Sequence, residues 1–209
     1  MFRDRKDAGI RLANALEKYR GQEVVVFALP RGGVVLGAEI ALKLSAPLDL
    51  VLTKKIGHPL NPEYAICAVA EGGEPICNQF EVDSVDPVWL QKEVERIRAE
   101  LRRQRLEYLG DAEPHAVEGK VAIVVDDGIA TGLTMMAAIK EMEKRKAKQI
   151  IVAIPVIPYD AAQWLIAMGV DLVALQIDRA YLGAVGAYYA DFRQVTDGEV
   201  AALLKQVNG

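Results

Sequence analysis

One segment of this chain, Val121–Thr134, constrains the fold more than any other. Apolar, mostly β-branched residues run directly into two adjacent acids, Asp126 and Asp127, and a glycine-flanked turn then leads into a helical pattern. Such a run predicts a buried strand, and the first N–H groups of the helix that follows are free to bind an anion. The segment therefore predicts a strand–turn–helix unit that can hold a sugar phosphate by both of its ends.

Strand and helix patterns alternate along most of the chain, which implies right-handed crossovers onto a mostly parallel sheet. Strands are predicted at residues 23–29, 48–53, 120–125, 149–155 and 172–177, with a hairpin formed by 65–70 and 75–80. Helices are predicted at residues 4–19, 34–44, 87–109, 133–145, 159–168 and 197–207. Residues 54–62 contain two prolines and a glycine and follow neither period, so they are predicted to form a long loop. The helix at 87–109 is expected to expose Arg102, Arg103 and Arg105 to solvent.

The composition agrees with an α/β fold in one domain, residues 1–209. Hydrophobic residues make up 52% of the chain and aromatic residues only 6%, which favours a buried parallel sheet. The net charge is -4 with acids and bases interspersed, so we expect no nucleic-acid partner. No uncharged run is long enough for a membrane span, and we expect a cytoplasmic protein with no membrane association. Cys67 and Cys77 are too few for a disulfide framework and match no zinc pattern, so both are expected to be ordinary residues.

Three predicted strand ends carry unusual sequence, at residues 30–33, 54–58 and 126–132. Ligands of open parallel sheets bind beyond the carboxyl ends of the strands, so these segments are the candidate binding elements. The chain contains no Gly-x-x-x-x-Gly-Lys-Ser/Thr sequence, which excludes a nucleoside-triphosphatase P-loop. The glycines after the first strand miss the Gly-x-Gly-x-x-Gly spacing of a dinucleotide site.

The acid pair and the turn after it suit a phosphorylated sugar. Two ionised carboxylates accept hydrogen bonds from vicinal hydroxyls, while backbone N–H groups and hydroxyls surround a phosphate at the positive end of a helix. The alternative is an acidic helix cap at a strand end. The residues predicted to bind the phosphate are Gly128, Ile129, Ala130, Thr131, Gly132 and Thr134.

Residues Ile123 to Met135 resemble the phosphoribosyl-pyrophosphate (PRPP) binding motif of the type I phosphoribosyltransferases. The resemblance lies in the apolar strand, the two acids and the small-residue loop that ends in Thr-Gly. Residues 30–33 resemble the pyrophosphate loop of that family, and residues 54–66 lie where its mobile catalytic loop would be. The resemblance implies a Rossmann-like parallel sheet flanked by helices, with a small hood subdomain at residues 74–113 and 178–192.

The resemblance also implies a role for each matching residue. Asp126 and Asp127 would bind the ribose hydroxyls and, directly or through water, a Mg²⁺ ion that bridges pyrophosphate and ribose. The pyrophosphate would be bound by Arg31, Gly32 and Gly33, with positive charge added by the catalytic-loop residues Lys54 and Lys55. The alternative for the two lysines is an ordinary solvated pair.

The sequence constrains the acceptor base of the transfer reaction less than it constrains PRPP, the phosphoribosyl donor. In the 6-oxopurine branch of the family, the position matching Ala130 carries an aspartate that handles the N7 proton of the base, so this chain is unlike that branch. Tyr181 is a candidate for stacking on an acceptor base, although an aromatic residue after a strand is often structural. The resemblance implies transfer of 5-phosphoribosyl to a nitrogenous base, in a protein that could form a homodimer. The alternative is a PRPP or nucleotide sensor without transferase activity, which would have no need of a cationic lid at residues 54–64.

Overall fold

A five-stranded parallel sheet forms the centre of the computed structural model, which describes all 209 residues. Its strands are β1 (Val24–Ala28), β2 (Leu48–Leu50), β6 (Val121–Val125), β7 (Gln149–Pro158) and β8 (Asp171–Asp178). They lie in the order β2-β1-β6-β7-β8, and every neighbouring pair is parallel. The predicted α/β architecture is therefore confirmed.

The protein has seven helices, which lie on the two faces of this sheet or beside it. They are α1 (Arg5–Ala15), α2 (Gly32–Leu44), α3 (Gln79–Val82), α4 (Pro87–Leu109), α5 (Leu133–Lys144), α6 (Tyr159–Ala167) and α7 (Asp197–Asn208). In β1, Val24 and Val26 pack with α1, α2 and α7, whereas Val25 and Phe27 pack with α5 and α6. Each strand residue thus contributes to one of two cores, which explains the continuous apolar runs in the sequence. None of the helices combines the length and apolar character that a membrane crossing requires.

The prediction of a long loop at residues 54–62 is wrong, because most of these residues belong to a second, antiparallel sheet. β3 (Thr53–His58) pairs with β4 (Asn61–Ala70), and β4 pairs with β5 (Ile76–Cys77). Ile56 is buried in the core, so tertiary packing makes a strand of a segment whose local pattern favours none. Pro59 lies in the turn, where no ladder hydrogen bond is required, and the pairing register shifts at Gly57. The hairpin predicted at 65–70 and 75–80 is confirmed as a pairing, but its second strand is only Ile76–Cys77, because Gln79 and Phe80 belong to a short helix capped by Asn78.

A disulfide joins Cys67 and Cys77, so the expectation that both cysteines are ordinary residues is wrong. The two residues lie directly opposite each other in β4 and β5, with their Cα atoms 4.0 Å apart. Sequence spacing did not indicate this pairing, because it depends on the hairpin that places the two strands in register. The bond fixes the short strand that leads into α3 and α4.

Loss of this disulfide should destabilise the protein. We expect Cys67→Ala/Cys77→Ala to lower the free energy of unfolding by about 2–3 kcal/mol, because the bond closes a short loop in the unfolded chain. Urea unfolding with and without dithiothreitol measures the effect. Reductant should lower the midpoint of the wild type but leave that of the double variant unchanged, since the chain contains only two cysteines. Equal wild-type midpoints in both conditions would contradict the pairing.

Helix α4 begins and ends at the predicted residues. The side chain of Asp86 caps its N-terminus by accepting from the Val88 N–H at 2.9 Å, and Pro87 occupies the first turn. Arg102 and Arg103 are exposed as expected, but the prediction is wrong for Arg105. Its guanidinium is only 12% exposed and forms ion pairs with Asp49 and Glu71, both at 2.9 Å. Arg105 therefore turns inward to pair with acids that are distant in the sequence, and the helical pattern contains no sign of these partners.

Candidate functional site

The carboxyl ends of β1 and β6 form the centre of the candidate site. Ala28 pairs with Val125 at these ends, and the N–H of Leu29 donates to the carbonyl of Val125 at 2.9 Å. The strand order reverses here, because the chain runs from β1 outward to β2 and later returns to β6 on the other side. Such a switch point opens a crevice above the sheet. The fold thus brings the turn at residues 30–33 beside the acid pair, as predicted.

Each acid of the pair has one oxygen engaged by the protein and one oxygen free. Asp126 Oδ1 accepts from the N–H of Asp127 at 2.8 Å, and Asp127 Oδ2 accepts from Arg5 Nε at 2.8 Å. No backbone or basic side-chain N–H donates to the second oxygens, Asp126 Oδ2 and Asp127 Oδ1, although the two carboxyl groups are close enough to share a hydrogen bond with each other. Two adjacent acceptors are therefore available to a ligand.

The charge of the pair is incompletely compensated. Burial and the neighbouring charge of Asp127 raise the pKa of Asp126 well above its usual value. Burial also raises the pKa of Asp127, although the hydrogen bond and the charge of Arg5 oppose that shift. A ligand that brings hydroxyl donors or a cation to the free oxygens would stabilise the ionised form.

The turn after the acid pair presents unused backbone donors. The N–H groups of Ala130, Thr131 and Gly132 donate to no acceptor within the protein. Helix α5 follows, and its N-cap, Gly132, has no capping side chain, so the first turn is open to an anion. No protein partner engages the hydroxyl of Thr131 or Thr134.

Gly128 allows the start of this turn to approach its surroundings closely. A Cβ atom at this position would lie 2.5 Å from Cγ1 of Val185, in the short 3-10 turn Val185–Tyr188. The N–H of Ile129 donates to the carbonyl of Val156 at 3.0 Å, which fixes the turn on β7. Gly128 and Ile129 therefore position the open donors that follow them.

Residues 30–33 pack directly on the acid pair, although only Pro30 and Arg31 form a turn, because α2 begins at Gly32, two residues before the predicted helix start. The Pro30–Arg31 peptide bond is cis. A Cβ atom on Gly32 would lie 2.6 Å from Cγ of Asp127, and one on Gly33 would lie 2.6 Å from the carbonyl oxygen of Val125. Arg31 reaches outward, with Nη1 3.7 Å from Oδ1 of Asp197. A cavity of about 530 Å³ beside this arginine is lined by Pro30, Arg31, Gln104, Glu107, Tyr108 and Asp197.

The two lysines of β3 do not act as a pair in this conformation. Lys54 Nζ donates to Glu100 of α4 at 2.5 Å, whereas Lys55 is exposed and has no ion-pair partner. Lys54 is held by Glu100, so Lys55 alone is free to meet a ligand in this conformation. His58 accepts from the N–H of Leu60 at 3.2 Å and so belongs to the β3–β4 turn.

Tyr181 lies in an aromatic cluster close to the acid pair. Its ring stacks on Tyr188 with the centroids 5.4 Å apart, and its hydroxyl is buried without a hydrogen-bond partner. Tyr188 and Tyr189 are buried, and Phe192 packs against the same core, as expected of packing residues. Burial, Tyr188 and the charge of Asp127 raise the pKa of Tyr181.

Two residues that hold Asp127 were not found from the sequence. Arg5 binds its carboxylate, and the hydroxyl of Tyr189 donates to its carbonyl oxygen at 2.5 Å. They are separated from Asp127 by 122 and 62 positions along the chain, so no local pattern links them to the site.

Sequence comparison identifies relatives of known class. The family model for the phosphoribosyl transferase domain matches residues 4–166. A Mycobacterium tuberculosis (strain ATCC 25618 / H37Rv) protein named "Putative phosphoribosyl transferase Rv0571c" is 34% identical over 210 residues. The match covers 100% of this chain and 47% of the relative, so the chain spans about half the length of the curated relatives it matches.

Solved structures show the same fold. The protein TT1426 from Thermus thermophilus is 40% identical, covers 100% of both chains and has a TM-score of 0.82. A hypothetical protein from Neisseria gonorrhoeae, determined with bound ppGpp, has a TM-score of 0.53 at 15% identity. That alignment covers 99% of this chain and 98% of the other, and it shows likeness of fold alone.

Proposed function

The chain belongs to the phosphoribosyl transferase domain family, and we propose that it binds PRPP with Mg²⁺ and transfers 5-phosphoribosyl to a nitrogenous base. One observation carries the proposal. Two free carboxylate oxygens, on Asp126 and Asp127, immediately precede a turn whose N–H groups are also unused. These are complementary to the vicinal hydroxyls and the phosphate at opposite ends of a ribose 5-phosphate.

In the proposed complex with PRPP, the acid pair binds the ribose hydroxyls and the turn after it binds the 5-phosphate. Asp126 Oδ2 and Asp127 Oδ1 accept hydrogen bonds from the 2- and 3-hydroxyls of the ribose. The 5-phosphate binds the open donors of residues 130–132, supplemented by the hydroxyls of Thr131 and Thr134 and by the positive end of α5. The C1 atom is then directed toward the turn at residues 30–33.

Departure of pyrophosphate creates negative charge on the leaving group and positive charge on C1. Arg31 supplies an unused backbone N–H beside this position, and its guanidinium would turn there from its present contact with Asp197. Lys55 is unpaired and can bind an incoming anion, whereas Lys54 would first have to leave Glu100. A preorganised contact of this kind typically stabilises a transition state by about 2–4 kcal/mol.

The donor set suits a Mg²⁺ ion that arrives with the pyrophosphate. The protein has no cluster of three or more His, Cys, Asp or Glu that could hold a metal. Mg²⁺ commonly binds through one or two carboxylates together with substrate phosphates and retained waters, so Asp126 and Asp127, whose free oxygens accept from the ribose hydroxyls, would hold the ion through water. When bound, the ion would neutralise charge on the leaving group.

The hairpin of β3 and β4 is the proposed lid. Its tip is well exposed, since Leu60 retains 90% of its accessible surface. Closure would exclude water from a sugar carrying positive charge at C1, which would otherwise be hydrolysed. The lysines on this hairpin favour a transferase over a sensor, because a sensor needs no cationic lid. Tyr181 and the hood elements at residues 74–113 and 178–192 are the proposed determinants of acceptor choice.

Calorimetry and product analysis test the proposal. PRPP should bind in the presence of Mg²⁺, and pyrophosphate should be released with at least one acceptor from a panel of purines, pyrimidines and pyridines. Binding without release for any acceptor would favour the sensor. A protein that does not bind PRPP would refute both functions.

Gly32→Ala should weaken PRPP binding about tenfold or more. The new methyl group would displace the carboxylate of Asp127 or the turn itself, since the space is already filled by Asp127 and Arg5. Calorimetry measures the loss, with Gly198→Ala as the control, because a Cβ there meets only Thr196 Oγ1 at 4.0 Å. Unchanged affinity in Gly32→Ala would contradict the proposed position of the ribose.

A further inference from the structure

We propose that Arg5 and Tyr189 are positioning residues that hold Asp127 from behind, so that its second oxygen faces the ribose hydroxyls. This inference rests on the proposed function. It assigns a role to two residues that do not themselves contact the sugar.

Arg5 holds the carboxylate of Asp127 in a nearly enclosed contact. The Nε–Oδ2 distance is 2.8 Å, and the two side chains are only 12% and 15% exposed. Gly32 lies beside the same carboxylate, where even a Cβ atom would not fit. Arg5 thus holds Oδ2 on this side, and Oδ1 remains the free acceptor.

Arg5 is itself fixed on its other side. Its Nη1 donates to the carbonyl of Arg193 at 2.6 Å, and its guanidinium lies 3.8 Å from the ring centroid of Phe192. One planar guanidinium thus bridges Asp127 and the C-terminal segment through two different nitrogens. A lysine ammonium retains the charge but cannot reproduce this fork or its stacking.

Tyr189 fixes the main chain of the same residue. Its hydroxyl donates to the carbonyl of Asp127 at 2.5 Å, and its ring packs between Phe2 and Phe192, with centroid distances of 5.3 and 4.9 Å. Asp127 is therefore held at both its carboxylate and its carbonyl.

Arg5 and Tyr189 come from opposite ends of the chain, and the two ends are hydrogen-bonded to each other. The N–H of Phe2 donates to the carbonyl of Tyr188, and the N–H of Ala190 donates to the carbonyl of Phe2, both at 2.8 Å. The family model matches residues 4–166, so Tyr189, Phe192 and Arg193 lie outside it. The C-terminal part of this support therefore lies beyond the residues that the family model matches.

Hydroxyl recognition should depend on this support more than phosphate binding does. The phosphate donors of residues 130–132 belong to a different part of the turn and make no hydrogen bond with Arg5 or Tyr189. A misplaced carboxylate should weaken binding of the sugar hydroxyls and leave the phosphate contacts in place. A general loss of structure would weaken both.

The test compares ribose 5-phosphate with its 2-deoxy and 3-deoxy analogues and with inorganic phosphate by calorimetry. We expect the wild type to prefer ribose 5-phosphate over at least one analogue by about tenfold. Arg5→Gln, Arg5→Lys and Tyr189→Phe should each lose most of that preference while binding inorganic phosphate as the wild type does. Lys6→Gln, one residue along the same helix and 65% exposed, is the matched control.

The outcomes separate this inference from the function on which it rests. Full preference in both Tyr189→Phe and Arg5→Lys would overturn the positioning role while leaving the proposed function intact. Equal weakening of all ligands, inorganic phosphate included, would also overturn it in favour of a general structural role. A wild type that binds none of the sugar phosphates would refute the proposed function and this inference with it. Tyr189→Phe removes only a hydroxyl and keeps the test valid if the Arg5 variants fail to fold.

Discussion

Simultaneous replacement of Asp126 and Asp127 by asparagine should lower the affinity for PRPP at least 100-fold. Hydrogen bonds to charged groups contribute about 1.5–3 kcal/mol each, and two such bonds are weakened together. Each factor of ten in affinity corresponds to about 1.4 kcal/mol, so the combined loss exceeds two orders of magnitude. Asparagine also removes the negative charge that a Mg²⁺ ion would require. Calorimetry with PRPP and Mg²⁺ measures the difference.

Asp111→Asn is the control for this experiment. Asp111 is an exposed acid after α4 and makes no hydrogen bond or ion pair. The Asp111→Asn substitution changes the net charge of the protein by one without touching the site. The affinity of this variant for PRPP should therefore equal that of the wild type. A double variant that binds PRPP unchanged, and that unfolds cooperatively like the wild type, would refute the assignment of the acid pair.

Asp49→Ala should lower the free energy of unfolding by about 3–5 kcal/mol, the cost of breaking a buried ion pair from one side. Asp49 is 1% exposed and is the only buried charged residue of the protein. Its oxygens accept from Arg105 Nη1 and from the N–H of His115, both at 2.9 Å, and from the N–H of Leu50 at 2.7 Å. The alanine variant leaves all three donors without their acceptor.

The same cluster connects α4 to the sheet. Burial lowers the pKa of Arg105, but the charges of Asp49 and Glu71 outweigh that effect and the net pKa is raised. Arg105 thus remains charged, and urea unfolding of Asp49→Ala reports the cost of leaving it with Glu71 and the carbonyl of Leu50. Arg103→Ala is the control, since this side chain is 73% exposed and its contact with Glu107 spans 3.9 Å. A change below about 1 kcal/mol in Asp49→Ala would contradict the structural role of the cluster.

Local sequence patterns predicted the parts of the fold that local chemistry determines. The run from Val121 to Val125 forms the predicted central strand because every position packs into one of two cores. Asp86 and Pro87 begin α4 as predicted, because a capping side chain and a preset φ act within one turn. The neighbouring strand ends that carry residues 30–33 and 126–132 follow from the same alternation of elements.

The features that were missed depend on distant partners. Ile56 forms a strand because β4 lies beside it. Arg105 turns inward because it pairs with Asp49, which is 56 positions away in the sequence. The disulfide requires the register of β4 and β5, and the Arg5–Asp127 pair requires the start of α1 to lie near the carboxyl end of β6. None of these relations leaves a periodic signal, so only the assembled structure reveals them.

A crystal structure of the protein with PRPP and Mg²⁺ tests the central claim most directly. We expect the 5-phosphate to accept hydrogen bonds from the N–H groups of residues 130–132, with the ribose hydroxyls donating to Asp126 Oδ2 and Asp127 Oδ1. The pyrophosphate should lie beside Arg31. A PRPP molecule bound elsewhere, with the acid pair and the turn after it unchanged, would contradict the account.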